Sequence, residues 1–193
     1  SEGGEVMSFI MSFSYDSRPI QTLLNQIRNI NKRDGIDLQP KFQRGYIWSS
    51  DFKDKLLYSI IKRYPIGNVS LRVRTQKNDK GAMFEVVDGQ QRLTTIYKFI
   101  ENEYVIQSDV SRSIIEYIIE YVGEDSDIRL LKLKKKLHNK GKILLSFKHL
   151  PQVIQDNILA YNISITNITN ASDEEITEYF RYLQNQERLR AGE

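Results

Sequence analysis

The stretch FEVVDGQQRLTTIYKFI, from Phe84 to Ile100, predicts a short strand, a tight turn and a helix in succession. Residues Met83 to Val87 form an apolar, β-favouring run of the kind that lies buried in a sheet. After the turn at Asp88-Gly89, apolar residues recur with the i, i+3, i+4, i+7 spacing of one helix face. We expect the rest of the chain to be organised around this strand–turn–helix unit. The apolar face of its helix consists of Leu93, Ile96, Tyr97 and Ile100.

The turn between the predicted strand and helix has the features of an anion site. The first N–H groups of a helix lack partners within it, and the helix dipole makes that end positive. Gln90, Gln91 and Arg92 would present such amides beside a guanidinium, a combination that suits phosphate above other anions. Gly89 permits a positive φ and lets a ligand approach the backbone closely. Alternatively, this is a common Asp-Gly turn whose helix start is simply solvated.

The composition is that of an ordinary globular domain. The 193 residues, of which 40% are hydrophobic and 27% charged, suffice for one domain with a core, or for a domain with an appendage. No apolar run approaches the length that spans a bilayer, so we expect no membrane partner. The lack of cysteine excludes disulfides, thiolate metal sites and a cysteine nucleophile, and it fits a location in the cytoplasm. The net charge of +3 permits a polyanionic partner without requiring one.

A second segment, LQPKFQRGYIWSSD from Leu38 to Asp51, is too rich in polar, basic and aromatic residues to be an ordinary loop. Arg44, next to Gln43, suits bidentate contact with phosphate, and the rings of Tyr46 and Trp48 suit stacking on a base. Alternatively, the two aromatic residues cap the core and Arg44 makes a surface ion pair. We favour the packing interpretation for Trp48 and the functional one for Arg44.

Two segments carry positive charge of the kind that contacts DNA. Val69 to Val73 alternates as a half-buried strand whose outer face bears Arg72, with Arg74 just beyond it. The window from Leu130 to His138 is the most basic of the chain, and its lysines could follow a nucleic-acid backbone. A solvated helix face is the alternative interpretation of these lysines. The three that we single out are Lys134, Lys135 and Lys136.

The predicted fold class is α+β, with a small mixed sheet surrounded by helices. The sheet is expected to use the segments near residue 36, 69–74 and 83–87, with the last two joined as a hairpin. We expect residues 1–16 to form a tail outside the fold and residues 17–110 to form the nucleotide-binding core. A mainly helical subdomain over residues 111–193 would follow, ahead of a further effector domain. Ser17 is the expected N-cap of the first helix, which would place Pro19 in the first turn. Ser172, with Glu175 three residues on, predicts a capping box at the start of the last helix.

With these segments identified, the chain resembles the N-terminal domain of GmrSD-type, modification-dependent restriction systems, a domain related to the ParB/sulfiredoxin fold. The resemblance spans roughly Pro19 to Glu193 and rests on four motifs. They are FQRGYIW at Phe42–Trp48, YPI at Tyr64–Ile66, VDGQQRLTT at Val87–Thr95 and FRYLQNQERLRAGE at Phe180–Glu193.

This resemblance implies a nucleotide-dependent module of a phage-defence system. Gly89 and Arg92 would bind the phosphates, Gln43 and Arg44 would lie in the same pocket, and Asp88 would hold a Mg²⁺ that bridges phosphates. A buried, structural Asp88 bonded to the turn amides is the competing view. The catalytic residues would be Asp88, Gln91 and Arg92, and the remaining phosphate ligands Gln90 and the hydroxyl of Thr94.

The resemblance also implies partners and leaves questions open. Double-stranded, possibly modified, DNA and a nuclease domain or subunit outside this chain are the expected partners. Gln184 and Gln186 replace the usual Asn and Gly of the last motif. The base of the nucleotide and its hydrolysis are left open. One alternative function is a DNA-binding module without nucleotide chemistry; a nicking nuclease that uses Asp88 and Glu85 is weaker, because strand residues so close together form no two-metal cage.

Overall fold

The computed structural model of the protein describes residues 10–42 and 47–191. Strands run over Ser12–Pro19 (β1), Ile36–Asp37 (β2), Val69–Val73 (β3), Phe84–Asp88 (β4) and Asn162–Thr169 (β5). Helices run over Ile20–Arg28 (α1), Ser50–Ile61 (α2), Gln90–Ile100 (α3), Val110–Val122 (α4), Ile128–Lys136 (α5), Gln152–Ala160 (α6) and Asp173–Ala191 (α7), with a short 3-10 helix at Phe147–His149.

The strands of the described ranges form one mixed sheet in the order β1-β5-β3-β4-β2. β1 and β5 are antiparallel, β5 and β3 parallel, β3 and β4 antiparallel, and β4 and β2 parallel. The predicted α+β class and the predicted hairpin of β3 and β4 are therefore confirmed. Among these residues, no helix is both long and apolar enough to cross a bilayer.

The N-terminal strand was not foreseen. Residues 12–16, which the sequence assigned to a tail, pair with β5 along the edge of the sheet. Ser17 lies in the same strand and is not an N-cap, because α1 begins only at Ile20, after Pro19. Pairing with β5 satisfies the backbone of this segment and decides its conformation over the local helix signal. The division of the chain at residue 110 remains a prediction, although β5 returns from the C-terminal part into the sheet.

One face of the sheet, which we call the core face, is closed by a large apolar core. Val69, Leu71 and Val86 are fully buried there, as are Ile163 and Ile165 of β5. Buried side chains from six helices, α1 to α6, complete this core. The apolar face predicted for α3 is part of it, because Leu93, Ile96 and Ile100 are all buried.

The other face, which we call the cleft face, is covered mainly by α7. Val87 and Ile168 pack there against Ile176, in a much smaller apolar cluster. α7 starts with the capping box predicted from the sequence, since Ser172 and Glu175 exchange two hydrogen bonds of 3.1 Å each. The C-terminal helix thus lies over the end of β4, where the candidate site is found.

Candidate functional site

The predicted strand–turn–helix unit is confirmed, and the backbone N–H groups of its turn have no acceptor within the helix. β4 ends at Asp88, Gly89 has a φ of +94°, and α3 begins at Gln90. A Cβ at Gly89 would lie 2.8 Å from Cγ2 of Val69, so both its φ and its surroundings require glycine. The first helical hydrogen bond is donated by Leu93 to the carbonyl of Gly89. The three amides between these residues therefore have no acceptor within α3.

Two glycines make room for the guanidinium of Arg92. A Cβ at Gly67 would lie 2.9 Å from its Nη1, and one at Gly89 would lie 3.2 Å from its Nη2. Nη2 donates a hydrogen bond to the carbonyl oxygen of Asn68 and lies 3.7 Å from Oδ2 of Asp88. Nε is buried and has no hydrogen-bond partner among the described residues. The guanidinium is thus fixed beside the turn and uses only part of its donor capacity within residues 10–42 and 47–191.

A β-bulge turns Asp88 towards the same place. Leu71 pairs with Val86, but its neighbour Ser70 pairs with Asp88, so the register shifts by one residue at Val87. Where two residues oppose one, side chains no longer alternate strictly between the faces of the sheet. Val87 packs under α7, and Asp88 lines the cleft on that side with 33% of its side chain exposed. In the described ranges its carboxylate contacts Arg92 and accepts no hydrogen bond from the turn amides. These residues therefore do not show the alternative in which Asp88 is buried and bonded to those amides.

α7 forms the opposite wall of this cleft. Phe180, Gln184 and Glu187 face the turn across a narrow space of about 50 Å³. They follow the i, i+4, i+7 spacing of one helix face, which was the signal in the sequence that could have identified them. The family resemblance had singled out the motif at Phe180–Glu193 without giving it a location. Gln184, which replaces the usual Asn of that motif, lies in the cleft wall. We call this space, between the turn at Asp88–Arg92 and α7, the turn cleft.

Trp48 packs against the core and also lines the turn cleft, while its predicted stacking on a base stays a prediction. Its ring packs against the large core and lies 6.2 Å from the ring of Phe52, which confirms the packing interpretation. The residue also lines the turn cleft, and its backbone N–H donates a 3.3 Å hydrogen bond to Oε1 of Gln91. The side chain of Gln91 is thereby held at the mouth of the helix start.

The structure leaves three residues predicted for the nucleotide pocket untested and places a fourth outside the described lining of the turn cleft. Gln43, Arg44 and Tyr46 fall outside the described residues, so their predicted roles stay predictions. Two residues after them, Trp48 lies in the cleft wall, and directly before them the ring of Phe42 lies 5.8 Å from that of Phe180. Thr94 is absent from the described lining of the cleft. Its hydroxyl is buried and has no hydrogen-bond partner among the described residues.

The predicted exposed basic face of β3 is wrong. Arg72 is only 9% exposed, with Nη1 lying 3.3 Å from Oε1 of Glu85 and 2.7 Å from Oδ1 of Asp173. Hydrogen bonding to Arg72 lowers the pKa of Asp173. Arg74 also reaches Oε1 of Glu85, at 3.2 Å. The expectation failed because β3 lies inside the sheet and is covered on both faces. DNA contacts of these two arginines stay a prediction, while their ion pairs give them a structural role.

Glu85 and Asp88 do not share a site. Glu85 is 5% exposed and belongs to the ion-pair cluster of Arg72, whereas Asp88 lines the turn cleft. Within residues 10–42 and 47–191, no three acidic or histidine side chains are grouped so that they could hold a metal ion. The arrangement gives no support to a two-metal nuclease centre in this part of the chain.

The lysines near the end of α5 surround a histidine. Lys134 and Lys135 are exposed, and Lys136 is half-buried. The pKa of His149 is lowered, first by burial and then by the positive charges of Lys136, Lys148 and Lys132. Its Nδ1 accepts a hydrogen bond from the N–H of Ser146 at 3.1 Å, which also requires the neutral ring. The positive charges of this basic region thus act together on His149.

Comparison with known proteins identifies the family. No curated protein and no solved structure matches this chain. The family model described as "GmrSD restriction endonuclease, N-terminal domain" matches residues 20–191, which is most of the chain and includes both walls of the turn cleft. The protein therefore belongs to the GmrSD N-terminal domain family and is a component of a restriction system.

Proposed function

We propose that this protein is a nucleotide-binding regulatory domain of a restriction system, and that it holds the phosphates of a nucleoside triphosphate in the turn cleft. The observation that carries the proposal is the convergence of three groups at one point. They are the amides at the start of α3 that have no acceptor within the helix, the guanidinium of Arg92 and the carboxylate of Asp88. Amides and guanidinium bind phosphate oxygens, and the carboxylate suits the cation that accompanies them.

The residues of the cleft fit a magnesium ion bound together with phosphates. Mg²⁺ is usually held by one or two carboxylates while phosphate oxygens and waters complete its octahedron. Asp88 and Glu187 both line the turn cleft and supply carboxylates of this kind. When bound, the ion would neutralise charge on the phosphates. Asp88 would position it, and its contact with Arg92 keeps that carboxylate turned towards the cleft.

For hydrolysis of the nucleotide, the residue in position is Gln91. Its backbone lies in the first turn of α3 and its side-chain oxygen is held by the N–H of Trp48. A glutamine fixed beside the terminal phosphate orients the attacking water in other nucleotide hydrolases. We assign this role to Gln91, while Arg92 would stabilise charge on the transferred phosphoryl group.

The location of the cleft suggests how nucleotide occupancy would be sensed. One wall belongs to the sheet and α3, and the other belongs to α7. A ligand that contacts both walls stabilises the arrangement in which they are close, and it shifts the population towards that state. We propose that this shift at α7 controls a nuclease domain or subunit that acts on double-stranded, possibly modified, DNA in the cytoplasm.

The proposal is tested by calorimetric titration of the purified chain with each nucleoside triphosphate and Mg²⁺. Arg92→Met removes a guanidinium that makes charge-assisted hydrogen bonds, and we expect affinity to fall about tenfold or more. Arg44→Met is expected to act in the same direction. Arg28→Met is the matched control, because Arg28 makes a surface ion pair with Glu101 outside the cleft. Unchanged affinity in Arg92→Met and Arg44→Met would show that the site assignment is wrong.

A second candidate function is DNA binding through the lysines around His149, independent of nucleotide. It is supported by the joint effect of Lys132, Lys136 and Lys148 on the pKa of this histidine. Affinity for duplex DNA should then fall steeply with salt, with a slope that decreases by about one unit for each phosphate-contacting lysine removed. A flat salt response would exclude this function.

A further inference from the structure

A second and larger groove adjoins the turn cleft on the cleft face. Its volume is about 450 Å³, compared with about 50 Å³ for the turn cleft, and Asp88 lines both. The turn cleft is far smaller than the range of about 300–1,000 Å³ typical of small-molecule sites, so it has no room for a nucleoside beside the phosphates. The larger groove falls within this range. We call it the strand groove.

The floor of the strand groove is a row of side chains that crosses the sheet. Tyr15 pairs with Thr166, Thr166 with Ser70, and Ser70 with Asp88. Residues paired in register project from the same face, so these four lie side by side. Neighbouring strands are about 4.8 Å apart, and the row therefore extends roughly 14 Å from Asp88 to the edge strand β1. The bulge at Val87 is what brings Asp88 into this row.

The middle of the row is polar and connected to the turn cleft. Oδ1 of Asn68 accepts a hydrogen bond of 2.9 Å from Thr166 and one of 3.4 Å from Ser70. The backbone carbonyl of Asn68 is the group that holds Arg92. A ligand over these hydroxyl groups would thus lie next to the residues that position the guanidinium.

The outer end of the row is aromatic and uncovered. Phe13 and Tyr15 are 65% and 71% exposed, and their rings meet edge to face at 5.5 Å. Large exposed aromatic side chains contribute little to a core, and they offer flat surfaces on which a base can stack. Tyr179 of α7 lines the groove opposite; its pKa is raised by burial and then by the charges of Asp88, Tyr182 and Tyr15.

We infer that the strand groove receives the nucleoside part of the nucleotide, with the sugar over the polar row and the base against Tyr15 and Phe13. The inference rests on the proposed function, since it requires the phosphates to be in the turn cleft. Three observations carry it: the small volume of the turn cleft, the border at Asp88 that both spaces share, and the change along the row from carboxylate to hydroxyl to aromatic groups.

The test compares two ligands, a Mg²⁺–nucleoside triphosphate and inorganic tripolyphosphate with Mg²⁺, by calorimetry on the whole chain. We expect the nucleotide to bind more tightly than tripolyphosphate. Tyr15→Ala should weaken nucleotide binding about tenfold and leave tripolyphosphate binding unchanged, because stacking involves the base alone. Phe13→Ala should act in the same direction. Tyr121→Ala is the matched control, since Tyr121 is 45% exposed on α4 and lies outside the groove.

Each alternative outcome has a distinct meaning. If Arg92→Met weakens both ligands while Tyr15→Ala weakens neither, the phosphate site stands and the nucleoside site is overturned. Equal weakening of both ligands by Tyr15→Ala also overturns it. If Tyr15→Ala changes the oligomeric state and leaves nucleotide affinity unchanged, the groove is a protein interface and the inference is wrong. If the unaltered chain binds neither ligand, both the inference and the proposed function fail.

Discussion

The two faces of the sheet differ in how completely helices cover them. On the core face, helices α1 to α6 close the surface with fully buried apolar side chains. On the cleft face, α7 buries a small cluster around Val87, Ile168 and Ile176, and the turn cleft and the strand groove lie open beside it. The difference suggests that the two faces have different roles. The core face supplies the free energy of folding, and the cleft face is left free to bind a ligand and to respond to it.

The largest expected effect separates the faces by stability. Phe99 is fully buried in the core and lies 5.9 Å from the ring of Phe147, whereas Phe13 is 65% exposed on the cleft face. Phe99→Ala should lower the free energy of unfolding by about 3–5 kcal/mol, measured by denaturant titration. Phe13→Ala should leave it nearly unchanged. Similar losses for the two variants would contradict this difference in roles. Where Phe99→Ala does not fold, Phe99→Leu should show the same ranking with a smaller loss.

A second prediction concerns the ion-pair cluster that joins β3, β4 and the start of α7. Glu85 accepts contacts from Arg72 and Arg74, and its removal would leave two neighbouring guanidinium groups without their shared counter-charge. Glu85→Ala should therefore cost about 3 kcal/mol of unfolding free energy. Asp79→Ala is the control, because Asp79 makes an exposed pair with Lys41 and its loss should change the unfolding free energy far less. If the two variants are equally stable, the cluster does not anchor α7.

A third variant should alter ligand binding with little effect on stability. A Cβ at Gly67 would meet only the end of the flexible Arg92 side chain, so Gly67→Ala should displace the guanidinium and otherwise preserve the fold. We expect affinity for nucleotide to fall about tenfold, a loss comparable to one charge-assisted hydrogen bond. Gly141→Ala is the matched control, since nothing lies within 4 Å of a Cβ there. Unchanged affinity in Gly67→Ala would mean that the position of Arg92 does not matter.

The smallest expected effect is a pH dependence that originates away from both clefts. The pKa of His149 is lowered in the folded chain, so between that value and its ordinary value the unfolded chain binds more protons. Stability should therefore decrease as pH falls from 7 through this window. His149→Gln keeps an acceptor for the N–H of Ser146 but cannot titrate, and it should flatten this part of the profile. The measurement is unfolding free energy against pH, with His138→Gln as the control. Nucleotide affinity should not follow this titration.

The sequence predicted local features well because their causes are local. The unit from Phe84 to Ile100 carries its own strand pattern, its glycine and its helix periodicity, and the structure confirms all three. The packing of Trp48 and the capping box of Ser172 were predicted for the same reason. In each case the deciding residues lie within a few positions of one another.

The features that build the clefts depend on distant partners, and the sequence did not show them. The bulge that turns Asp88 arises from its register with β3, and α7 reaches the turn from some 90 residues further along the chain. β1 was missed because Phe13 and Tyr15 alternate over too few residues to outweigh the helix signal at Ser17. The prediction that Arg72 lies on an exposed face of β3 was wrong, because the alternation of apolar and polar residues does not show which elements cover a strand.

Phosphate binding at the start of α3 can be tested by a crystal structure with a non-hydrolysable nucleoside triphosphate and Mg²⁺. We expect phosphate oxygens within hydrogen-bonding distance of the amides of Gln90 to Arg92 and of the guanidinium of Arg92, with the nucleoside in the strand groove. A nucleotide bound elsewhere, such as on the lysines around His149, with the turn cleft free of phosphate, would contradict it.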